Sequence, residues 1–210
     1  MASQPTPIAP VAANPKMQSL NPATGELLAE FDPMGADQVR SLVDRARYAA
    51  PAWSSLERAK RAHYLLALKD VIYARREKLA NLIALEAGKP LAEVWAAEIQ
   101  VVLDAAQYFA RHAAEFLAAQ SVPHHNLAVR LKRGRLEYEP YGVIGIFSPA
   151  NYPLSIPFGD IIPALIAGNT VVLKPSELVP QIGRAIGELF EYADFPPGVV
   201  SVAWGAGEAG

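Results

Sequence analysis

The run from Tyr141 to Glu177, YGVIGIFSPANYPLSIPFGDIIPALIAGNTVVLKPSE, constrains the fold more than any other stretch of this chain. Gly142 to Phe147 is short, apolar, rich in β-branched residues and bounded by turn signals, the pattern of a strand buried on both faces. Ser148-Pro149-Ala150-Asn151-Tyr152-Pro153 breaks it with two prolines and sets polar groups at the carboxyl end of the strand. Ligands of open α/β sheets collect there. From Ile156 to Ala167 the apolar residues thicken into a helix, and Gly168-Asn169 closes it because both tolerate the left-handed conformation of a helix C-terminus. Thr170 to Leu173 reads as a second buried strand, with Lys174-Pro175-Ser176-Glu177 as its polar exit. Pro180 to Ala193 then carries Ile182, Ala185, Ile186, Leu189 and Phe190 at helical spacing, and Val199 to Ala203 is a third apolar strand. Right-handed crossovers make the three strands parallel, so the fold class is α/β.

Upstream of this unit the spacing is helical. Residues 1–18 are proline-rich and without period, which predicts a flexible arm. Asn21-Pro22 and Thr24-Gly25 punctuate a turn from Leu20 to Glu26, followed by a short strand over Leu27 to Phe31. Asp37 to Trp53 predicts an amphipathic helix ended near Pro51. Ser54 and Glu57 have capping-box spacing and predict the start of the next helix, with Leu65, Leu66, Leu68 and Ile72 inward and Arg58, Lys60, Arg61, Arg75, Arg76, Glu77 and Lys78 solvated. A further helix is expected over Arg76 to Glu86, stopped by Gly88-Lys89-Pro90, and a long one over Leu91 to Ala119. The expectation is thus a layer of four helices. Asn126 to Leu131 and Leu136 to Glu139 alternate around Lys132-Arg133-Gly134-Arg135, which predicts a β-hairpin with a basic tip.

A chain of 210 residues that is 51% hydrophobic can bury one domain's core, or two small ones. Its formal charge of −2 argues against nucleic acid or an anionic membrane as partner. No apolar run reaches the ~18 residues of a membrane span, and the N-terminal residues lack the apolar core of a secretory signal, so a cytoplasmic setting is expected. His63, His112, His124 and His125 lack metal-ligand spacing, and no metal is expected. Gly205 to Gly210 matches G-x-G-x-x-G after a strand, but neither a following helix nor an acidic residue about 20 positions later accompanies it.

SPANYP followed by PALIAGNTVVLKPSE resembles the aldehyde dehydrogenase superfamily, where these segments usually read S/T-P-W-N-F/Y-P and P-A-L-A-A-G-N-T-V-V-x-K-P-S-E. Asn21-Pro22-Ala23-Thr24-Gly25-Glu26, Glu86-Ala87-Gly88-Lys89-Pro90 and Phe195-Pro196-Pro197-Gly198-Val199-Val200 are similar to further segments of that family. The resemblance covers roughly Ser19 to Gly210, and family members run to more than twice this length. It implies the N-terminal part of such an enzyme: a helical layer, a hairpin of the sheet used for subunit contact, and the first three strands of a doubly wound, Rossmann-like cofactor-binding sheet. The implied activity is NAD(P)-dependent oxidation of an aldehyde to an acid. Implied partners are the aldehyde and either further copies of the chain or a C-terminal half. By the same resemblance, Gly205 to Gly210 is a connecting turn near the adenine pocket.

The residue roles follow the motifs. By resemblance the Asn151 side-chain N–H is the oxyanion donor; spacing alone favours the other reading, Asn151 capping its own turn beside Pro149 and Pro153. Lys174 and Glu177 are implied to hold the hydroxyls of the adenosine ribose, with Ser176 beside them, while Ser148, Pro149, Ala150 and Asn151 line the cofactor groove, the first three mainly through backbone. Ser176 and Glu177 could instead simply start the next helix. Glu177 would repel a 2′-phosphate, which favours NAD over NADP, with Lys174 and Ser176 partly offsetting it. Ala150 stands where the family commonly has Trp, which implies a wider channel and puts in doubt any carried-over substrate preference. The chain holds no cysteine, whereas the family's chemistry begins with a thiolate adding to the carbonyl. The isolated chain is therefore expected to be inactive. A non-catalytic half-fold that binds a nucleotide or a partner, and a fragment of a coenzyme A-acylating aldehyde dehydrogenase, are the other readings.

Overall fold

The computed structural model describes residues 16–123 and 132–205. Residues 1–15, the expected strand over Asn126 to Leu131, His124-His125 and Ala206 to Gly210 lie outside the described residues.

Strands β1 (Met17–Leu20) and β2 (Leu27–Phe31) pair antiparallel across the Asn21–Glu26 turn. Met17 and Gln18, expected in the flexible arm, belong to β1, and Met17 is buried. Helix α1 (Ala36–Ser55) runs through Pro51 instead of ending there. Its next turn still holds because Ser54 Oγ and Ser55 Oγ donate to the carbonyls of Pro51 and Ala52. Ser54 is thereby used inside α1, which is why the expected capping box does not form. Helix α2 (Arg58–Ala87) starts after Glu57 with no side-chain cap.

Helix α2 is one 30-residue helix, where two were expected. The Arg75-Arg76-Glu77-Lys78 run is not a break, since no Gly or Pro interrupts the chain before Gly88; Glu77 and Lys78 are exposed, whereas Arg75 and Arg76, expected to be solvated, are half-buried over the rings of Tyr192 and Tyr73. Gly88 closes α2 at φ +68, a left-handed cap that favours glycine. The segment Leu91 to Phe116 is α3 (Leu91–Glu93), a π-helical turn over Val94–Ile99 and α4 (Gln100–Phe116). The helical layer therefore has three runs, not four.

Gly134 and Arg135, expected in a hairpin tip, form β4 (Gly134–Leu136) and pair antiparallel with β3 (Gln120–Val122). Among the expected strand residues Leu136 to Glu139, only Leu136 lies in that strand.

The parallel unit is β5 (Val143–Phe147), α5 (Ser155–Ile166), β6 (Thr170–Lys174), α6 (Pro180–Tyr192) and β7 (Val200–Val202), in the order β5-β6-β7. Gly168 takes the left-handed turn at φ +101. Asn169 contributes differently from expectation: its Oδ1 accepts from Gly142 N–H at 3.0 Å and its Nδ2 donates to Ala164 O at 3.2 Å, tying the end of α5 to the start of β5.

One core joins α2, α4, α5, α6 and one face of the sheet; α1 covers the other face through Leu42 and Ala46 against Val172 and Ala203. Trp53, at 1% exposure, crosses from α1 into the main core, and its indole N–H donates to Leu165 O at 3.0 Å. Arg61, expected on the solvated side, is buried. Its guanidinium donates to Ile166 O at 3.0 Å, to Ser54 O at 3.0 Å and to Leu56 O, so it satisfies carbonyls at the ends of α5 and α1. That desolvation, with Arg58 nearby, lowers its pKa from the ordinary arginine value.

Candidate functional site

The parallel register pairs Phe147 with Lys174, so the two polar loops leave β5 and β6 at the same height on the sheet. Ser148, 8% exposed, ties them by donating its backbone N–H to Lys174 O at 3.0 Å. Pro149 is exposed, and Ala150 is half-buried with its methyl against the main core. Asn151 is exposed on the bend that follows, and Pro153, two residues on, is buried. An exposed carboxamide on such a bend can offer N–H to a ligand oxygen.

On the second loop, Lys174 Nζ donates to Glu177 Oε2 at 3.2 Å and to Pro175 O at 3.3 Å. A hydrogen bond to the backbone of Glu177 itself, and then Lys174, hold the Glu177 carboxyl below the usual carboxylate range. The loop thus presents an ammonium and a carboxylate side by side, a donor and an acceptor matched to vicinal hydroxyls. Ser176 is used locally: its Oγ accepts from Leu178 N–H at 3.3 Å. Helix α6 does not start on Ser176-Glu177 but at Pro180, with Pro in its first turn. Gly183 lets the loop lie against α6, because a Cβ there would sit 2.5 Å from Pro175 Cγ. A cavity of about 270 Å³ opens beside Lys174 on the α1 face of the sheet, walled by Phe147, Val172, Ala203 and Trp204. A larger one of about 940 Å³ lies between α1 and α6 and touches none of the expected site residues. The smaller has the better claim to a ligand because it sits at the carboxyl end of the strands.

Two charged residues that sequence reasoning missed hold the loops from behind. Glu98, fully buried in the π-helical turn, accepts from Leu154 N–H at 3.1 Å and Ser155 N–H at 2.8 Å, capping α5. Its other oxygen takes Lys89 Nζ at 2.9 Å, and Lys89 also lies 3.4 Å from Glu93 Oε1 and 3.4 Å from the centre of the Tyr152 ring. Glu86, at the end of α2, does the same for α6. It accepts from Gln181 N–H at 2.9 Å and Ile182 N–H at 2.8 Å, and from the Ser19 hydroxyl at 2.5 Å. Carboxylates at helix N-termini satisfy orphan N–H groups and the positive end of the macrodipole.

The signal for both was present. Val94, Glu98, Val102 and Ala106 are spaced by four, and Leu79, Ile83 and Glu86 by four and three, so each Glu sits within an apolar stripe.

The sequence profile of the aldehyde dehydrogenase family matches residues 10–210. The chain belongs to the aldehyde dehydrogenase family. It is 38% identical to N-succinylglutamate 5-semialdehyde dehydrogenase of Burkholderia mallei (strain SAVP1) over 201 residues, 94% of this chain and 39% of that protein. The homologous enzyme 1 of Caulobacter vibrioides is 34% identical, over 93% of this chain and 40% of its own length. Among solved structures, an NADP-dependent enzyme of E. coli superposes with a TM-score of 0.86 at 34% identity, covering 93% of this chain and 40% of the other. PnpE in complex with nicotinamide adenine dinucleotide superposes at 0.85 and 32% identity, over 94% of this chain and 39% of its own. The chain spans about two fifths of the length of the family members it matches. Among the described residues, no helix is long and apolar enough to cross a membrane.

Proposed function

We propose that this chain is the N-terminal portion of an NAD(P)-dependent aldehyde dehydrogenase that oxidises an aldehyde to a carboxylic acid. It supplies the adenosine-binding edge of the cofactor site and the oxyanion donor, while the isolated 210-residue chain turns over no aldehyde. The observation that carries the reading is the pairing of Lys174 with Glu177 at the carboxyl end of β6, level with the Ser148–Asn151 loop and beside a cavity of about 270 Å³.

That donor set fits a dinucleotide. The Lys174 ammonium donates and the Glu177 carboxylate accepts, so each ribose hydroxyl finds a partner, and Phe147 and Trp204 give the cavity apolar walls. Ser148, Pro149 and Ala150 do not wall this cavity; in this reading their backbone borders the cofactor beyond it, and Ser176 shapes the Lys174 loop through its turn. When bound, NAD supplies the hydride acceptor. Asn151 directs its side-chain N–H at the carbonyl oxygen; one such donor is worth roughly 3 kcal/mol of barrier. With no cysteine in the chain there is no thiolate to add to the carbonyl. Glu177, ionised at neutral pH, disfavours a 2′-phosphate and so favours NAD over NADP. Phe147, 67% exposed on the edge strand β5, favours association with further polypeptide that covers this side of the sheet, from a C-terminal half or another copy.

Calorimetric titration of the purified chain with NAD tests the reading. Saturable binding that weakens about tenfold in Lys174→Ala is expected, the loss of one charge-assisted hydrogen bond, and no NADH forms with any aldehyde. Absence of NAD binding, or turnover by the chain alone, overturns it.

A further inference from the structure

We infer that Glu98 and Lys89 are positioning residues for the Asn151 turn: a buried ion pair in the helical layer fixes the backbone on which the oxyanion donor is carried. The inference rests on the role proposed above for Asn151. Loops that carry functional groups are ordinarily the loosest parts of a fold. This one is anchored from behind at two places. Glu98 clamps the Leu154 and Ser155 N–H groups, so the first turn of α5 cannot fray toward Asn151. Lys89, only 11% exposed, neutralises Glu98 and lies against the face of Tyr152, the residue next to Asn151.

The π-helical turn makes the reach possible. Gln100 N–H donates to Trp95 O five residues back, and this widened turn brings Glu98 to the start of α5. Such turns recur at functional sites and are otherwise a poor use of backbone hydrogen bonds. The clamp is separate from that on the cofactor loop, because Glu86 holds Gln181 and Ile182 through its own contacts and shares no partner with Glu98 among the described residues.

Hydrogen exchange followed by mass spectrometry and the NMR signal of the Asn151 side-chain amide, assigned with Asn151→Ala, test the inference on the full chain. Glu98→Gln keeps an acceptor and loses the charge. Exchange over 151–156 is expected to rise about tenfold, with the Asn151 amide signal moving toward its unstructured position. Exchange over 179–184 and NAD affinity stay within about twofold. Glu86→Gln is expected to do the reverse, loosening 179–184 and leaving Asn151 in place. An unchanged Asn151 signal in Glu98→Gln, or equal loosening of both loops, overturns the inference. Should Glu98→Gln fail to fold, Lys89→Met decides on the same peptides: a rise confined to 151–156 supports the inference, and no rise overturns it. A wild-type chain that fails to bind NAD sinks the proposed cofactor site and leaves this exchange pattern standing.

Discussion

Helices α5 and α6 start alike and are held differently. Each follows a polar loop at the end of a parallel strand, and each has its first N–H groups capped by a buried glutamate reaching across from the helical layer. Glu98 has a cation beside it, Lys89 at 2.9 Å. Glu86 has neutral donors, the Ser19 hydroxyl and two backbone N–H groups, with Arg184 acting only through its field. Burial is the largest influence on Glu86 and raises its pKa, opposed by those hydrogen bonds. The difference teaches what each clamp responds to. The α5 clamp is an ion pair that fails when either partner is lost; the α6 clamp is a hydrogen-bonded carboxyl whose strength depends on its proton.

The largest expected effect breaks the α5 side. Glu98→Ala leaves the almost buried Lys89 ammonium with only the longer contact to Glu93 at 3.4 Å and two N–H groups unsatisfied, a loss of about 3 kcal/mol in urea denaturation. Glu86→Ala leaves the same number of N–H groups but no stranded charge, so about 2 kcal/mol is expected. Equal losses in the two variants would abolish the distinction between the clamps. Smaller still is the pH response. Because the folded Glu86 carboxyl has a raised pKa, its contribution to stability is full below the ordinary carboxylate value of 4.5 and is lost as pH rises through the folded value. Glu86→Gln is therefore expected to flatten that part of the stability profile, read as Tm across that window.

The parallel unit was legible because its signals are local. β-Branched runs mark β5 and β6, apolar spacing marks α6, and Gly168 marks the turn between α5 and β6. The motif around Asn151 and Lys174 was legible for the same reason, since each loop is continuous in sequence. The clamps were not, because Glu86 meets Gln181 and Glu98 meets Leu154 across long stretches of chain. A reading that sends charges to solvent also hid Arg61, which opens the stripe Arg61, Leu65, Leu68, Ile72. In all three cases a charge stands in an apolar stripe and satisfies backbone groups at helix ends. One helix spans Arg75 and Arg76 where two were expected, because nothing in that stretch breaks a helix.

Trp53 carries a consequence for the bench. It is fully buried and hydrogen-bonded across the junction of α1 with α5, whereas Trp95 and Trp204 are partly open to water. Its emission is a built-in optical gauge: a red shift on denaturation reports that water has reached the junction of α1 with α5.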